Sequence, residues 1–521
     1  VEGKMSEQTE YNAVSARDGE PTDAGSRSTA AQAAFARGRL AFPQWSGLTV
    51  KERLQYVRRL RLLIAQRNHE VASVISAATG KPTVEALSTE ILVVLEAMRY
   101  LEKTAAPTLA TRKVGTPLVL FGKKSYVQFK PRGVVLVISP WNVPFQLSMI
   151  PVLEALVAGN CVILKPSEVV PAVGELIGRL FGDAGFPEGT VQVVQGDGKT
   201  GGLLVEQGPD FIHFTGSVPT GRRIQQVAAE RLIPTTLELG GKDPMIVFAD
   251  ANLKRAVHGA LWGALCNSGQ ICMSVERIYV QRPVYDTFVR ILAQEMLTLR
   301  QSSSADGDIG RMTVPNQVRI VKSHVSQALE DGAQLVSGNR PDEWRDEDMT
   351  IKPVLLLNVK QSMAVMQEET FGPVLPVVPF STEAEAVQLA GETRFGLSCS
   401  VWTQDLTKAR RVVECLAVGG ATINDVIMAV ANPYLPYGGV KEGGIGRYHG
   451  EEGLKSFSVE TSVVVDSGKR EREVNWFPYA NKEPYFSLLI ANWYGERRKL
   501  LGFGRAFLKL LSISRKASGP S

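Results

Sequence analysis

From residue 134 onward the chain alternates short apolar, β-rich runs with helical stretches, and this alternation restricts the fold more than any other feature. The runs at 134–138, 161–164, 191–194 and 211–214, with a helical stretch at 170–182 among them, have the βαβ rhythm of a parallel sheet. A nucleotide-binding half is predicted. After Leu237 a second α/β series follows, with strands at 244–248, 278–280, 354–357 and 374–378 and helices at 253–265 and 283–298. Upstream, 31–99 reads as helices, with Leu54, Val57, Leu60 and Ile64 among the positions at three- and four-residue steps. A chain of 521 residues exceeds what one core supports, so two or more domains are expected.

The formal charge of +5 is small for this length and argues against a nucleic-acid partner. The five cysteines (161, 266, 272, 399 and 415) show no CxxC spacing, and the five histidines are scattered, so no metal site is expected. A reducing, cytoplasmic location follows. No apolar run reaches 18 residues and no signal-type stretch opens the chain, so neither export nor a spanning helix is expected. Residues 1–30 are small and polar and are predicted to form a flexible tail.

Three local sequences carry chemistry. Gly269-Gln270-Ile271-Cys272 places one thiol on a small-residue loop after a helical stretch. Upstream stand Glu238-Leu239-Gly240-Gly241-Lys242 and Ile138-Ser139-Pro140-Trp141-Asn142-Val143-Pro144-Phe145. Alone, the cysteine reads first as a small, buried, inert hydrophobe. Its company changes that reading. Together with Leu164-Lys165-Pro166-Ser167-Glu168, Phe214-Thr215-Gly216-Ser217 and Gly221, Glu368-Glu369-Thr370-Phe371-Gly372-Pro373, Phe395-Gly396-Leu397-Ser398 and Pro436-Tyr437-Gly438-Gly439-Val440-Lys441, the chain resembles the aldehyde dehydrogenase superfamily over about residues 31–466. Glu442-Gly443-Gly444-Ile445-Gly446 departs from the Ser-x-Gly of many relatives.

The resemblance implies an α/β fold: a Rossmann-type dinucleotide-binding domain (31–115 and 133–237), an α/β catalytic domain (238–454) and a small oligomerisation sheet (116–132 and 455–466), followed by a tail (467–521). It implies NAD(P)-dependent oxidation of an aldehyde to a carboxylate, with Cys272 as nucleophile through a thiohemiacetal and thioester, Asn142 as oxyanion donor and Glu238 as general base. A coenzyme-A-acylating relative commonly lacks that base, so Glu238 points to hydrolysis. Cofactor contacts are implied for Ser139, Trp141, Lys165, Ser167, Glu168, Thr215, Gly216, Ser217, Gly221, Leu239, Glu369 and Phe371. The Gly216-Ser217-x-x-x-Gly221 turn opens a helix whose amides can face a pyrophosphate. Glu168 favours NAD by repelling a 2′-phosphate, while Lys165 leaves NADP open. Lys242 reads as structural. A homo-oligomer is implied, with a dimer favoured.

In the tail, Arg498, Arg505, Lys509 and Lys516 fall on one helical stripe opposite Leu500, Phe503, Phe507, Leu510 and Leu511. The helix docks on its own subunit or partner, or lies on a membrane surface; the second alternative suits a hydrophobic, long-chain aldehyde. The competing substrate is a short acidic semialdehyde. A reading from another class is an inactive structural or membrane-binding protein, against which the joint retention of Cys272, Glu238 and Asn142 argues.

Overall fold

In the computed structural model, which describes residues 24–302, 307–345 and 349–516, the apolar run at 134–138 is a strand buried along its whole length. Burial on both faces is what a central parallel strand needs. This strand, β3 (Val134–Ile138), belongs to a six-stranded sheet with β4 (Cys161–Lys165), β5 (Val191–Val193), β6 (Phe211–Thr215), β7 (Thr235–Glu238) and β15 (Gly444–Ile445). The order is β15-β7-β6-β3-β4-β5. All neighbours are parallel except β15, which returns antiparallel to β7 and sets Gly444 opposite Glu238.

A seven-stranded sheet contains β8 (Asp243–Val247), β9 (Val275–Gln281), β10 (Gln334–Ser337), β11 (Val354–Leu357), β12 (Val374–Phe380), β13 (Ser398–Trp402) and β14 (Gly420–Ile423). Its order is β10-β11-β12-β9-β8-β13-β14, parallel except for the edge strand β10. A three-stranded sheet joins β1 (Arg112–Val114), β2 (Lys124–Pro131) and β16 (Ser458–Val465).

The N-terminal helices bury the predicted stripe. Leu54, Val57, Leu60 and Ile64 of the helix Val50–Gln66 are buried, and Thr49 caps that helix through a reciprocal bond with Glu52. The first helix runs Ala24–Gly47, so residues 24–30 of the expected flexible tail are helical; residues 1–23 lie outside the described residues. Two strands differ from the expected partition. β7 carries Glu238 as the last residue of the six-stranded sheet, and β15, from the stretch expected in the catalytic domain, pairs beside it.

By its contacts the chain divides into two units, one comprising residues up to Ala110 with Phe129–Glu460, the other Thr111–Gln128 with Thr461–Ser521. In the second unit the helices Glu483–Tyr494 and Leu500–Lys516 form a hairpin. Phe503 and Leu510 are buried in it, with Phe507 and Leu511 partly buried, against Leu489, Trp493 and Val119. The apolar stripe read from the sequence therefore packs within its own chain, Leu500 excepted, which is exposed. A second apolar set, Leu488, Ile490, Tyr494, Leu501 and Leu508, remains exposed. The side chain of Lys516 lies outside the described residues. No described helix is long and apolar enough to cross a membrane.

Candidate active site

The loop that presents Cys272 begins where the helix Leu253–Leu265 ends. Asn267, Ser268 and Gly269 all take left-handed conformations, with φ of 52°, 57° and 75°. Such a run persists only when neighbours hold it. Glu85 accepts the Asn267 N–H (3.0 Å), the Ser268 hydroxyl donates to the Gly310 carbonyl (2.9 Å), and the Gln270 side-chain oxygen accepts the Thr313 N–H (2.8 Å). Two glycines make room. A Cβ at Gly269 would stand 2.3 Å from the Gly372 carbonyl oxygen, and one at Gly241 would stand 2.1 Å from that of Cys272.

Asn142 follows β3 and is buried. Its carbonyl accepts from Lys81 Nζ and from the Asn267 side chain, each at 2.9 Å, and its own amide donates to the Gln270 carbonyl at 2.9 Å. Lys81 forms a fully buried pair with Glu90 at 2.6 Å. The other Glu90 oxygen accepts the N–H groups of Phe145 (2.7 Å) and Gln146 (3.3 Å), at the start of the helix Pro144–Val157. One ion pair thus anchors both the Asn142 peptide and the first turn of the helix behind it.

Glu238 is buried, and neither carboxylate oxygen has a hydrogen-bond partner among the described residues. Burial pushes its pKa well above the usual carboxylate range, opposed by the Arg447 charge. Cys272 is half-buried, with Sγ 3.8 Å from the Tyr437 hydroxyl. Burial and then the Glu369 charge push the thiol up to about 12, and the Tyr437 hydrogen bond pulls the other way. Cys272, Glu238 and Asn142 border one narrow cleft, together with Val143, Leu147, Thr215, Leu239, Ile271, Met273, Val430, Tyr437 and Tyr448.

A larger cleft shares Asn142, Thr215, Leu239 and Cys272 with the first and adds Trp141, Gly216, Ser217, Glu369 and Phe371. Ser217 stands at the N-terminus of the helix Val218–Glu230, but its hydroxyl bonds Thr220 (3.1 Å) instead of capping. Trp141 and Phe371 meet edge to face at 5.6 Å. Phe371 has a φ of 51°. Its N–H and that of Thr370 are both held by Glu276 at 2.8 Å, and Glu276 is paired with Lys242, which also bonds the Thr370 hydroxyl (3.0 Å). Glu369 accepts the Gly241 N–H (3.1 Å); burial, then the charge of Glu276, push it up to about 8.

The two clefts thus gather Asn142, Glu238, Cys272, Trp141, Thr215, Gly216, Ser217, Leu239, Glu369 and Phe371. Ser139, Lys165, Ser167, Glu168 and Gly221 do not line them. Lys165 is spent on Glu168 at 2.8 Å, the Ser167 hydroxyl accepts from the Val169 N–H (3.3 Å), and Ser139 bonds Ser148 (2.6 Å). Gly221 lies under Leu239, where a Cβ would come within 2.5 Å of its side chain. The Lys81–Glu90 and Lys242–Glu276 pairs and the Tyr437 hydroxyl were not found from sequence. Gly80-Lys81-Pro82 signals a turn but names no partner.

A family model described as the aldehyde dehydrogenase family matches residues 4–463. The chain belongs to the aldehyde dehydrogenase family. This aldehyde dehydrogenase is 45% identical to the 4,4'-diapolycopene aldehyde oxidase of Methylomonas sp, over 94% of this chain and 91% of that protein. It is 35% identical to the 4,4'-diaponeurosporen-aldehyde dehydrogenase of Staphylococcus aureus (strain NCTC 8325 / PS 47), over 84% and 95%. Its fold matches that of an NAD-dependent aldehyde dehydrogenase from Sinorhizobium meliloti with a TM-score of 0.82 and 33% identity, over 87% and 89%.

Proposed function

We propose that this aldehyde dehydrogenase oxidises a long, apolar aldehyde to the carboxylate, with Cys272 as nucleophile and NAD as the preferred acceptor. The observation that carries the substrate class is the smaller cleft: beside Cys272, Glu238 and Asn142 its lining is chiefly aliphatic and aromatic, and no lysine or arginine among the described residues lines it. A short acidic semialdehyde would leave its carboxylate there without a cation. The two curated relatives, named for 4,4'-diapolycopene aldehyde and 4,4'-diaponeurosporen-aldehyde, support the apolar reading.

The Cys272 thiol gives its proton to water, and the thiolate Sγ then adds to the aldehyde carbon. The oxygen that becomes negative accepts from the Cys272 backbone N–H and from the Asn142 hydrogen not held by Gln270. NAD(P), when bound, supplies the hydride acceptor. The thioester left on Cys272 is attacked by water whose proton Glu238 takes, which its unpartnered oxygens leave it free to do. The larger cleft fits a dinucleotide: the helix N-terminus at Ser217 suits a pyrophosphate, the Glu369 carboxylate suits ribose hydroxyls, and Trp141 with Phe371 gives a nicotinamide ring an apolar wall. At the end of β4 Lys165 pairs with one Glu168 carboxylate oxygen, and the other oxygen suits the adenine ribose hydroxyls and not a 2′-phosphate, so NADP is the poorer acceptor.

The same proposal includes two surfaces. The three-stranded sheet presents exposed Val459, Val464 and Val465 on β16, which suits a homodimer through that sheet. The exposed apolar residues of the hairpin, Leu488, Ile490, Leu501 and Leu508, together with exposed Arg497, Arg498, Lys499, Arg505 and Lys509, suit an anionic membrane face on the cytoplasmic side.

The test is a panel from short acidic through aliphatic to polyene aldehydes, read by NADH and NADPH absorbance, with Cys272→Ala beside the wild type. The long apolar aldehydes should have the highest kcat/KM, and Cys272→Ala should lose turnover while still binding NAD. Preference for an acidic semialdehyde overturns the substrate class. Substantial turnover by Cys272→Ala overturns the nucleophile.

A further inference from the structure

The hydroxyl of Tyr437 has no role in the reaction written above, yet it is the polar group at hydrogen-bond distance from the reacting sulfur, 3.8 Å from Cys272 Sγ. We propose that Tyr437 is a further catalytic residue, whose O–H donates to Cys272 Sγ whenever that sulfur carries negative charge. The proposal rests on Cys272 being the nucleophile.

The surroundings of the sulfur make such a donor necessary. Glu369, Asp243 and Glu238 all act on Cys272 to disfavour the thiolate, in addition to burial, and Tyr437 is the neighbour that favours it. The phenol cannot serve as the base instead. Burial first, and then the neighbouring Cys272, hold its own proton well above the usual tyrosine range, so it stays a donor throughout. Negative charge reaches the sulfur twice. It is present before addition to the aldehyde, and it returns when the C–S bond of the hydrated thioester breaks and its electron pair goes back to sulfur. At both moments the Tyr437 proton stays on its oxygen, so the hydroxyl stabilises charge without entering the proton balance.

The hydroxyl is held in place before any substrate arrives. Tyr437 is buried, and its backbone N–H and C=O bond those of Tyr448 at 2.7 and 2.9 Å. Its ring meets the Tyr448 ring edge to face at 5.4 Å and lies 6.2 Å from that of His449. The next residue, Gly438, has a φ of 152°, and its carbonyl lies where a Cβ on Gly419 would fall, at 1.6 Å. A donor fixed by packing loses little freedom when charge develops beside it.

The experiment is Tyr437→Phe in the full-length protein, which keeps the ring and removes the donor. Iodoacetamide labelling of Cys272 at one alkaline pH, quantified on the Cys272 peptide by mass spectrometry, should slow by about 10- to 100-fold, as expected for losing one hydrogen bond to a charged group. kcat should fall by a similar factor while KM for the aldehyde changes by less than about threefold. A labelling rate within about twofold of wild type overturns the proposal. Site-specific 3-fluorotyrosine at 437, nearly isosteric and a stronger donor, covers the case in which the phenylalanine variant fails to fold. It should label faster than wild type, and an unchanged rate overturns the proposal as well. Failure of the nucleophile assignment would show separately, as turnover by Cys272→Ala, because labelling reads the sulfur directly.

Discussion

Glu238 combines two properties that rarely meet in one carboxylate: it is buried, and both of its oxygens lack a partner among the described residues. Its raised pKa follows from the burial, and it sets the sign of the pH dependence. A base must be ionised to accept a proton, so hydrolysis of the thioester should quicken as pH rises through the raised pKa and slow as pH falls below it. Glu238→Gln should remove that dependence. The expected outcome in stopped-flow absorbance is a burst of NADH followed by steady turnover slowed about 100-fold or more. Loss of the burst as well would place Glu238 in the acylation step.

At the scale of elements, the junction between β7 and β8 is pressed against the cysteine loop. Gly241→Ala would put a methyl carbon 2.1 Å from the Cys272 carbonyl oxygen, a backbone atom that cannot swing aside as a side chain can, so the loop must move. The expected result is a loss of kcat/KM of about 100-fold or more, as for a reacting group displaced by about an ångström; a variant with wild-type kinetics would show that the loop adapts freely. The parallel strands β3 and β4 were legible because each holds a continuous apolar run, and β6 because its apolar run is broken only by His213. Thr235-Thr236-Leu237-Glu238 was not, because its strand character comes from pairing with β6 and β15 and not from its own pattern. Cys272, Glu238 and Asn142 were named from motif order. The pairs that position their loops, Lys81–Glu90 and Lys242–Glu276, were not, because neither contact leaves a periodic trace in the chain. In the tail the helical period was legible but the occupant of the apolar face was not, since Phe503 and Leu510 look the same facing another helix as facing lipid.

For the whole molecule, the division into two units lets surface attachment be separated from chemistry. Truncation before Tyr485 should abolish sedimentation with anionic vesicles and preserve oxidation of a short, soluble aldehyde. Leu501→Glu with Leu508→Glu, which leaves the buried face of the hairpin untouched, should do the same. Vesicle binding equal to wild type by both variants, or none by the wild type, removes the membrane role. The smaller unit is also assembled from two distant stretches, since β2 at Lys124–Pro131 pairs with β16 at Ser458–Val465. During synthesis at roughly 5–20 residues per second, β2 therefore leaves the ribosome on the order of tens of seconds before its partner exists. In that interval its edge is bare, and nascent chains on one message carry the same unpaired strand side by side. The charges of Lys123, Lys124 and Lys130 around that strand would then discourage neighbouring nascent chains from pairing with one another before each has made its own β16.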